Sequence, residues 1–417
     1  MPAPDPTPPA LVPAESRNPF AARGFARWWL ASLVAGTGVG IQSVTVPLFV
    51  RDRVAAGARA GAIATALMAT ALPGVVLALL GGAFADRIER RRILVRAYLA
   101  ATVASCVYVA LSGLGVASVW PVYPLAALVG SAGAFTSPAR MSLLPLLVSR
   151  AQLQNGVILG TTLGFVAAHQ LFGPTLAGLL ADGFGLTVAF AAEVALLLAA
   201  ACLFGGIRTG APTPTGASVL ADLREGVRYV RGEPALRGLL LLALVPGVFV
   251  IGPFAVTIAL LVPDVLHAGD KWVGILWGCF GGGVVTGSLL LTLRPLPRRG
   301  LAVCIANSVV GCILIAYSRS SSIAASAAIL VAWGIGASVF INYVIALLQE
   351  RTEPSMIGRV MSMYSLAFFV AMPAGYAQAG AVTSAFGPQA SLLSSGIAAA
   401  AIGLACLVGM RSVRALR

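Results

Sequence analysis

Charged residues are scarce in this chain of 417 residues: they make up 10% of it, whereas 59% is hydrophobic. Soluble domains carry roughly 25% charged residues. The mean hydropathy is +0.93. A shortage of charge on this scale excludes a water-soluble catalytic or binding domain, and it indicates an integral membrane protein that is almost entirely embedded in the bilayer.

Signatures of several other protein classes are also missing. The sequence has no GxxxxGK[ST] loop, so we expect no ATP drive. Its six cysteines lie inside apolar segments without a CxxC pair, which favours a packing role over a metal or redox site. No cofactor or metal is expected, and no group of residues indicates an enzyme. The Pro-rich start lacks a signal peptide, and we expect a disordered cytoplasmic tail at 1–22.

Apolar sequence, by contrast, is abundant and falls into twelve segments. Each is long enough to cross a membrane, which takes about 20 residues. The pattern predicts an all-α integral membrane protein with twelve transmembrane helices. The segments cover approximately 25–50, 60–85, 93–115, 120–146, 153–181, 185–206, 236–262, 272–293, 300–318, 322–348, 358–382 and 388–410.

The basic residues predict the orientation. With both termini in the cytoplasm, all but five of the 28 lysines and arginines lie on the cytoplasmic side, as the positive-inside rule requires. This bias explains the net charge of +14 without a polyanion, so we expect no nucleic-acid partner. The five residues on the outer side are Arg51, Arg53, Arg59, Lys271 and Arg319.

The longest hydrophilic stretch, 207–235, divides the segments six and six. Its second part has apolar residues at helical spacing, which indicates an amphipathic helix on the inner membrane surface. A faint repeat relates Gly82 to Gly287, and paired repeats around a midplane cavity are a transporter architecture. We expect an N-terminal six-helix bundle at 23–207, a linker at 208–235, a C-terminal six-helix bundle at 236–410 and a cytoplasmic tail at 411–417.

A cluster of opposite charges follows the second segment, in GGAFADRIERRRIL. Positive-inside topology explains its arginines, but it explains neither the acid Asp86 nor the glycine Gly82. A glycine at this position lets a neighbouring helix approach closely. Asp86 can pair with a nearby arginine or face the N-terminus of the eleventh segment, whose helix dipole favours an anion. We interpret the stretch as a cytoplasmic latch between the halves, formed by Gly82, Asp86, Arg87, Arg90, Arg91, Gly358 and Arg359.

The same stretch resembles the signature loop between helices two and three of the major facilitator superfamily, in which such a latch controls alternating access. Glu89 replaces a glycine of that pattern. Three more stretches, SPARMSLLPLLVSRAQLQNG, DLREGVRYVRGEPALRGLLLL and LLQERTEPSMIGRVMSM, resemble the branch of enterobactin-type siderophore exporters and related drug exporters. The resemblance covers residues 20 to about 400. It implies two six-helix bundles around a central cavity, in a bacterial cytoplasmic membrane, and we expect a monomer.

The fifth segment resembles the antiporter motif of drug and metabolite exporters. The motif implies a bent helix with a close-packing face that is thought to seal against leak. His169 stands where the family has a glycine. Glycine and proline are frequent in membrane helices generally, so ordinary packing is the alternative. The residues concerned are Gly160, His169, Gly173, Pro174 and Gly178.

Ionisable groups inside a membrane are costly and usually functional. Glu193, about two turns into the sixth segment, is the first candidate for proton coupling, because a desolvated carboxyl can exchange a proton near neutral pH. The alternative is an acid that snorkels to the outer interface. His169 is the second candidate, with a helix-helix hydrogen bond as its alternative.

Other polar residues of the segments can contact cargo or link helices by hydrogen bonds. For Arg140 the alternative is an anchor at the cytoplasmic end of its segment. Trp28 and Trp29 are predicted interface anchors. The candidates for the substrate cavity are Gln42, Arg140, Gln170, Asn307, Asn342 and Tyr343.

These features predict a secondary active exporter that exchanges protons for small amphipathic molecules such as siderophores, drugs or secondary metabolites. A cavity wall of Ala, Val, Leu and Phe suits an apolar or weakly charged cargo. Two alternatives stay open at this point. One is an importer, a facilitator or a lysolipid flippase of the same fold, and the other is a non-transporting membrane scaffold or sensor.

Overall fold

The computed structural model is nearly all helical and describes residues 18–22, 24–85, 89–207, 219–354 and 356–416. Asp86 and Arg87 of the predicted latch lie outside the described residues, as do most of the expected tail and the first part of the linker. The described chain starts before the expected tail boundary at 22, with a short 3-10 turn at Pro19–Ala21.

Fourteen α-helical elements make up the described part of the chain. In chain order they are α1 Phe25–Arg51, α2 Arg59–Ala85, α3 Arg90–Gly113, α4 Val122–Leu147, α5 at 150–184, α6 Leu186–Gly205, α7 Val219–Gly232, α8 Pro234–Asp264, α9 Lys271–Leu293, α10 Arg299–Ser318, α11 Ile323–Arg351, α12 Ile357–Phe386, α13 Pro388–Gly409 and α14 Arg411–Arg414.

Eleven helices of the described residues are long and apolar enough to cross a membrane. The remaining apolar segment of the sequence corresponds to α4, which has the necessary length at 26 residues. It is not among the eleven, and Ser131, Thr136 and Arg140 interrupt its hydrophobic residues. Each of the twelve apolar segments in the sequence therefore coincides with a helix, and eleven of these helices have the hydropathy of a membrane span.

Two glycines turn the chain at matching places. Gly185, between α5 and α6, has φ 87° and ψ 163°. Gly387, between α12 and α13, has φ 86° and ψ 168°. Residues with a Cβ rarely adopt this conformation. The same corner therefore occurs at the last connection of each set of six long helices.

The N-half (18–207) and the C-half (219–416) each have their own helix contacts. In the N-half, α3 packs on α4 and α6, and α1 packs on α5 and α6. In the C-half, α9 packs on α11, and α10 packs on α13. Two helix pairs form most of the interface between the halves: α2 with α12, and α5 with α9.

The buried apolar side chains show that the halves meet at one end of the molecule. Where α1 ends and α9 begins, residues of both halves form one continuous cluster, which includes Ile41, Val44, Leu48, Val256, Leu261 and Leu276. At the opposite end the described residues of the two halves form separate clusters, one around Trp28, Leu94 and Leu143 and one around Leu239, Val303 and Leu347. We call the first end the sealed face and the second the divided face.

Candidate functional site

Helix α5 touches its neighbours backbone to backbone. A Cβ on Gly173 would lie 2.6 Å from the Cα of Gly40 in α1, and a Cβ on Gly178 would lie 2.9 Å from the Cα of Gly274 in α9. Both gaps are too small for a side chain. Glycines of the fifth-segment motif thus lie at two interfaces, one inside the N-half and one between the halves.

The middle of α5 is wound more widely than an α-helix. Ile158–Val166 and Ala168–Phe172 are π-helical, and Gly247–Ile251 of α8 is wound in the same way. Such turns are rare and frequently occur at functional sites. His169 and Gln170 both lie in the second π-helical stretch of α5.

Ion pairs cross between the halves at the sealed face. Arg51, at the end of α1, donates through Nη1 and Nη2 to the two carboxylate oxygens of Asp270, at 2.7 and 2.9 Å. Asp182 of α5 lies 3.8 Å from Nζ of Lys271, the first residue of α9, and accepts from the Lys271 backbone N–H at 3.4 Å. The N-half therefore holds the first turn of α9 from two sides. We call Arg51, Asp182, Asp270 and Lys271 the clamp.

The sequence indicated Arg51 and Lys271 only as charges on the outer side. Their partners could not be found from spacing, because Arg51 and Asp270 are 219 positions apart. The available signal was the adjacent pair of opposite charges, Asp270 and Lys271, directly before an apolar segment.

Glu193 of α6 is enclosed between α6 and α3, with 1% of its surface exposed. Ser105 Oγ of α3 donates to its Oε1 at 2.7 Å and also lies 3.0 Å from the carbonyl of Ala101. Because a hydroxyl carries one proton, Ser105 can bond to Ala101 when Glu193 is protonated and can turn to Glu193 when it is ionised. The other oxygen of Glu193, Oε2, is buried without a partner among the described residues, and the side chain does not reach the interface as a snorkelling acid would.

Arg140 of α4 points into the N-half and is 3% exposed. Its guanidinium carbon lies 3.7 Å from the ring centre of Phe165, and the Phe165 ring stacks on His169 with 5.9 Å between centroids. Trp28 Nε1 donates to the Arg140 carbonyl at 3.2 Å. Trp28 is fully buried, so its predicted role as an interface anchor is wrong.

The other predicted cavity residues differ in their hydrogen bonding. Asn342 donates to Ser288 Oγ at 3.1 Å, and Tyr343 Oη accepts from the Leu296 N–H at 2.7 Å, so both link parts of the C-half. Asn307 is 1% exposed within the C-half, and its side chain has no partner among the described residues. Gln42 Nε2 and Gln170 Oε1 are likewise buried without a partner in the described chain.

The described residues of the latch have partners on their own side of the molecule. Arg91 pairs with Glu89 at 3.2 Å and donates to the carbonyl of Gly205, which ends α6. Arg359 pairs at 3.2 Å with Glu225 of the amphipathic helix α7. Glu89, where the family pattern has a glycine, thus supplies an acid for Arg91.

Two further members of the latch lie in the first turns of their helices. Gly358 has open space where a Cβ would lie, and Arg90 begins α3. In the part of the chain that the structure describes, no group of three or more His, Cys, Asp or Glu residues could hold a metal ion.

The chain is similar to known bacterial efflux proteins. Residues 14–415 match the transmembrane secretion effector family of the major facilitator superfamily. The multidrug efflux pump Tap of Mycobacterium tuberculosis (strain ATCC 25618 / H37Rv) is 26% identical over 90% of this chain and 91% of its own length. Macrolide efflux protein A of Streptococcus pyogenes is 23% identical over 80% of this chain and 84% of its own.

Solved structures share the fold. The human organic anion transporter MFSD10 (TETRAN) superposes with a TM-score of 0.67 and 15% identity, over 92% of this chain and 99% of that one. A bacterial homolog of the human lysosomal transporter Spinster gives a TM-score of 0.64 and 16% identity, over 94% and 95% of the two chains.

Proposed function

Because this chain belongs to the transmembrane secretion effector family of the major facilitator superfamily, we propose that it is a secondary active exporter that exchanges protons for small amphipathic molecules. The similar proteins include a multidrug efflux pump and a macrolide efflux protein, which supports the export direction. In this proposal α4 also crosses the membrane, which brings the number of spans to twelve. The halves are two six-helix bundles, and both termini lie in the cytoplasm.

The observation that carries the proposal is the difference between the two faces. The halves share one apolar cluster and the clamp at the sealed face, whereas their clusters are separate at the divided face. An alternating-access carrier must have conformations that are closed at one end at a time. The proposed orientation makes the sealed face the outer one, so that cargo enters from the cytoplasm.

We propose that Glu193 is the group that takes up and releases the coupled proton, with His169 as the second candidate. Glu193 is the buried carboxyl among the described residues of the N-half, and its hydroxyl partner can follow a change of protonation. The latch around Asp86 is proposed to hold the cytoplasmic ends together in the outward-open state, so the clamp and the latch would close opposite ends.

Transport in proteoliposomes tests the proposal. With an acidic lumen, molecules inserted inside out should accumulate a radiolabelled macrolide, because protons leaving the lumen drive its entry. Collapsing the pH gradient with nigericin should abolish the accumulation. Equal uptake with and without the gradient would indicate a facilitator or flippase instead. A chain inactive towards macrolide, ethidium and siderophore alike, but copurifying with one protein, would indicate a scaffold.

The orientation has its own test by cysteine labelling. In a variant without native cysteines, Thr215→Cys in the linker should react with an impermeant maleimide only from the cytoplasmic side, because the arginine-rich loops stay inside. Ala268→Cys, between α8 and α9, should react only from outside. Both rates are measured on intact cells and on inverted vesicles. The reverse pattern would contradict the proposed orientation.

A further inference from the structure

Arg140 is a buried cation for which the described chain offers no counterion. Its Nε and Nη1 atoms are enclosed and have no hydrogen-bond partner there. The described acids that form ion pairs do so with other basic residues: Asp52 and Asp270 with Arg51, Asp182 with Lys271, Glu89 with Arg91 and Arg92, Glu225 with Arg359, and Glu350 with Arg299.

Burying an unpaired charge in apolar surroundings is strongly unfavourable unless an opposite charge compensates for it. The Phe165 ring compensates in part through a cation–π contact on the face of the guanidinium. That contact leaves the N–H groups in the guanidinium plane free to donate. These N–H groups match a carboxylate in geometry and charge.

His169 provides a second unpartnered nitrogen at the same place. Its ring stacks on Phe165, and its Nδ1 has no partner among the residues that the structure describes. Phe165 and His169 are half-buried, whereas Arg140 is 3% exposed. The unpartnered nitrogens of His169 and Arg140 are enclosed, so an anion bound to them is shielded from water.

We propose that Arg140 and His169 bind the negatively charged group of anionic cargo, so that the cargo range includes amphipathic molecules with one carboxylate. One guanidinium balances one negative charge. The half-buried ring of Phe165 provides apolar contact for the rest of the molecule. This inference rests on the proposed transport function and adds the chemical class of the substrate.

The test compares two probes that differ only in charge. Binding of tritiated 1-naphthoate and of its neutral amide, 1-naphthamide, is measured by scintillation proximity on the full chain in phosphatidylcholine nanodiscs. The wild-type protein should bind the acid about tenfold more tightly than the amide, because a tenfold preference corresponds to a single modest charge-assisted contact.

The substitution Arg140→Met should remove the preference for the acid and leave the affinity for the amide within about twofold, since it removes the charge but keeps the side chain's length. Arg140→Lys should retain part of the preference, which shows that the site is folded. Arg96→Met, at an exposed arginine of α3, is the matched control and should change neither affinity.

Three results would overturn the anion site. The acid and the amide could bind equally to the wild-type protein, or the preference could survive Arg140→Met. Alternatively, Asp86→Asn could raise the affinity for the acid about tenfold, which would make Asp86 the resident counterion of Arg140. Any of these results alongside intact pH-driven macrolide accumulation refutes the anion site alone, whereas loss of all gradient-driven transport in the wild-type protein refutes the proposed function.

Discussion

Replacing Glu193 by glutamine is expected to abolish accumulation of cargo against its gradient while leaving downhill exchange intact. Coupled transport requires a group whose protonation differs between the two access states, and an amide cannot supply it. Glutamine keeps the shape of the side chain and can still accept from Ser105. The measurement is macrolide flux in proteoliposomes, first with an imposed pH gradient and then with none.

Two variants control this experiment. Ser105→Ala keeps the Glu193 carboxyl and removes its hydroxyl partner. Accumulation should therefore be weaker than in the wild-type protein, but it should not be lost. Glu233→Gln changes an exposed acid between α7 and α8 and should behave as the wild-type protein does. If the Glu193→Gln protein still accumulates cargo, another group carries the proton, and His169 is the next candidate. His169→Asn should give a milder loss, mainly in the dependence on pH.

Reversing one charge of the clamp is expected to open the sealed face. Arg51→Glu brings three acids together, because Asp270 and Asp52 are the partners of Arg51. The lost charge-assisted pair contributes about 1.5–3 kcal/mol, so the open state should become at least about tenfold more populated. The measurement is the labelling rate of Leu48→Cys, a fully buried position in the shared cluster, with an impermeant maleimide.

The charge swap makes this prediction specific. Arg51→Glu combined with Asp270→Arg should return the labelling rate close to that of the wild-type protein, because the pair is rebuilt with opposite polarity. Arg53→Gln is the matched control. Arg53 lies on the same face, but it contacts Phe49 and the carbonyl of Val116 within the N-half, and its loss should leave labelling unchanged. A swap that fails to restore closure would show that the apolar cluster alone seals this face.

Hydropathy and length were sufficient to locate the helices, since each apolar segment had to satisfy its backbone hydrogen bonds internally. The weak point is α4, which carries Arg140 among its apolar residues and is not one of the eleven helices with the hydropathy of a membrane span. The matching turns at Gly185 and Gly387 could not be predicted from the sequence, because a glycine does not by itself reveal a positive φ.

The candidate site was only partly accessible from sequence. A carboxyl inside an apolar segment is conspicuous, so Glu193 could be singled out, but its partner Ser105 could not, because serines in apolar helices are common. Nor could the clamp be predicted, since its pairs join helices far apart in the chain. Trp28 was misassigned because tryptophan near the end of a span usually faces the headgroups, whereas here it packs under Arg140.

The clamp also determines how the molecule responds to an electric field. Each half contributes one positive and one negative charge to the two cross-half pairs: Arg51 and Asp182 from the N-half, Lys271 and Asp270 from the C-half. The charges that each half contributes to these pairs sum to zero. Separation of the halves therefore moves no net charge of these pairs across the membrane potential. Moving one uncompensated charge would cost about 2.3 kcal/mol per 100 mV. Voltage should therefore act on transport through the charges of the cargo and the coupling ion, and the opening of the sealed face should proceed equally well in energised and de-energised membranes.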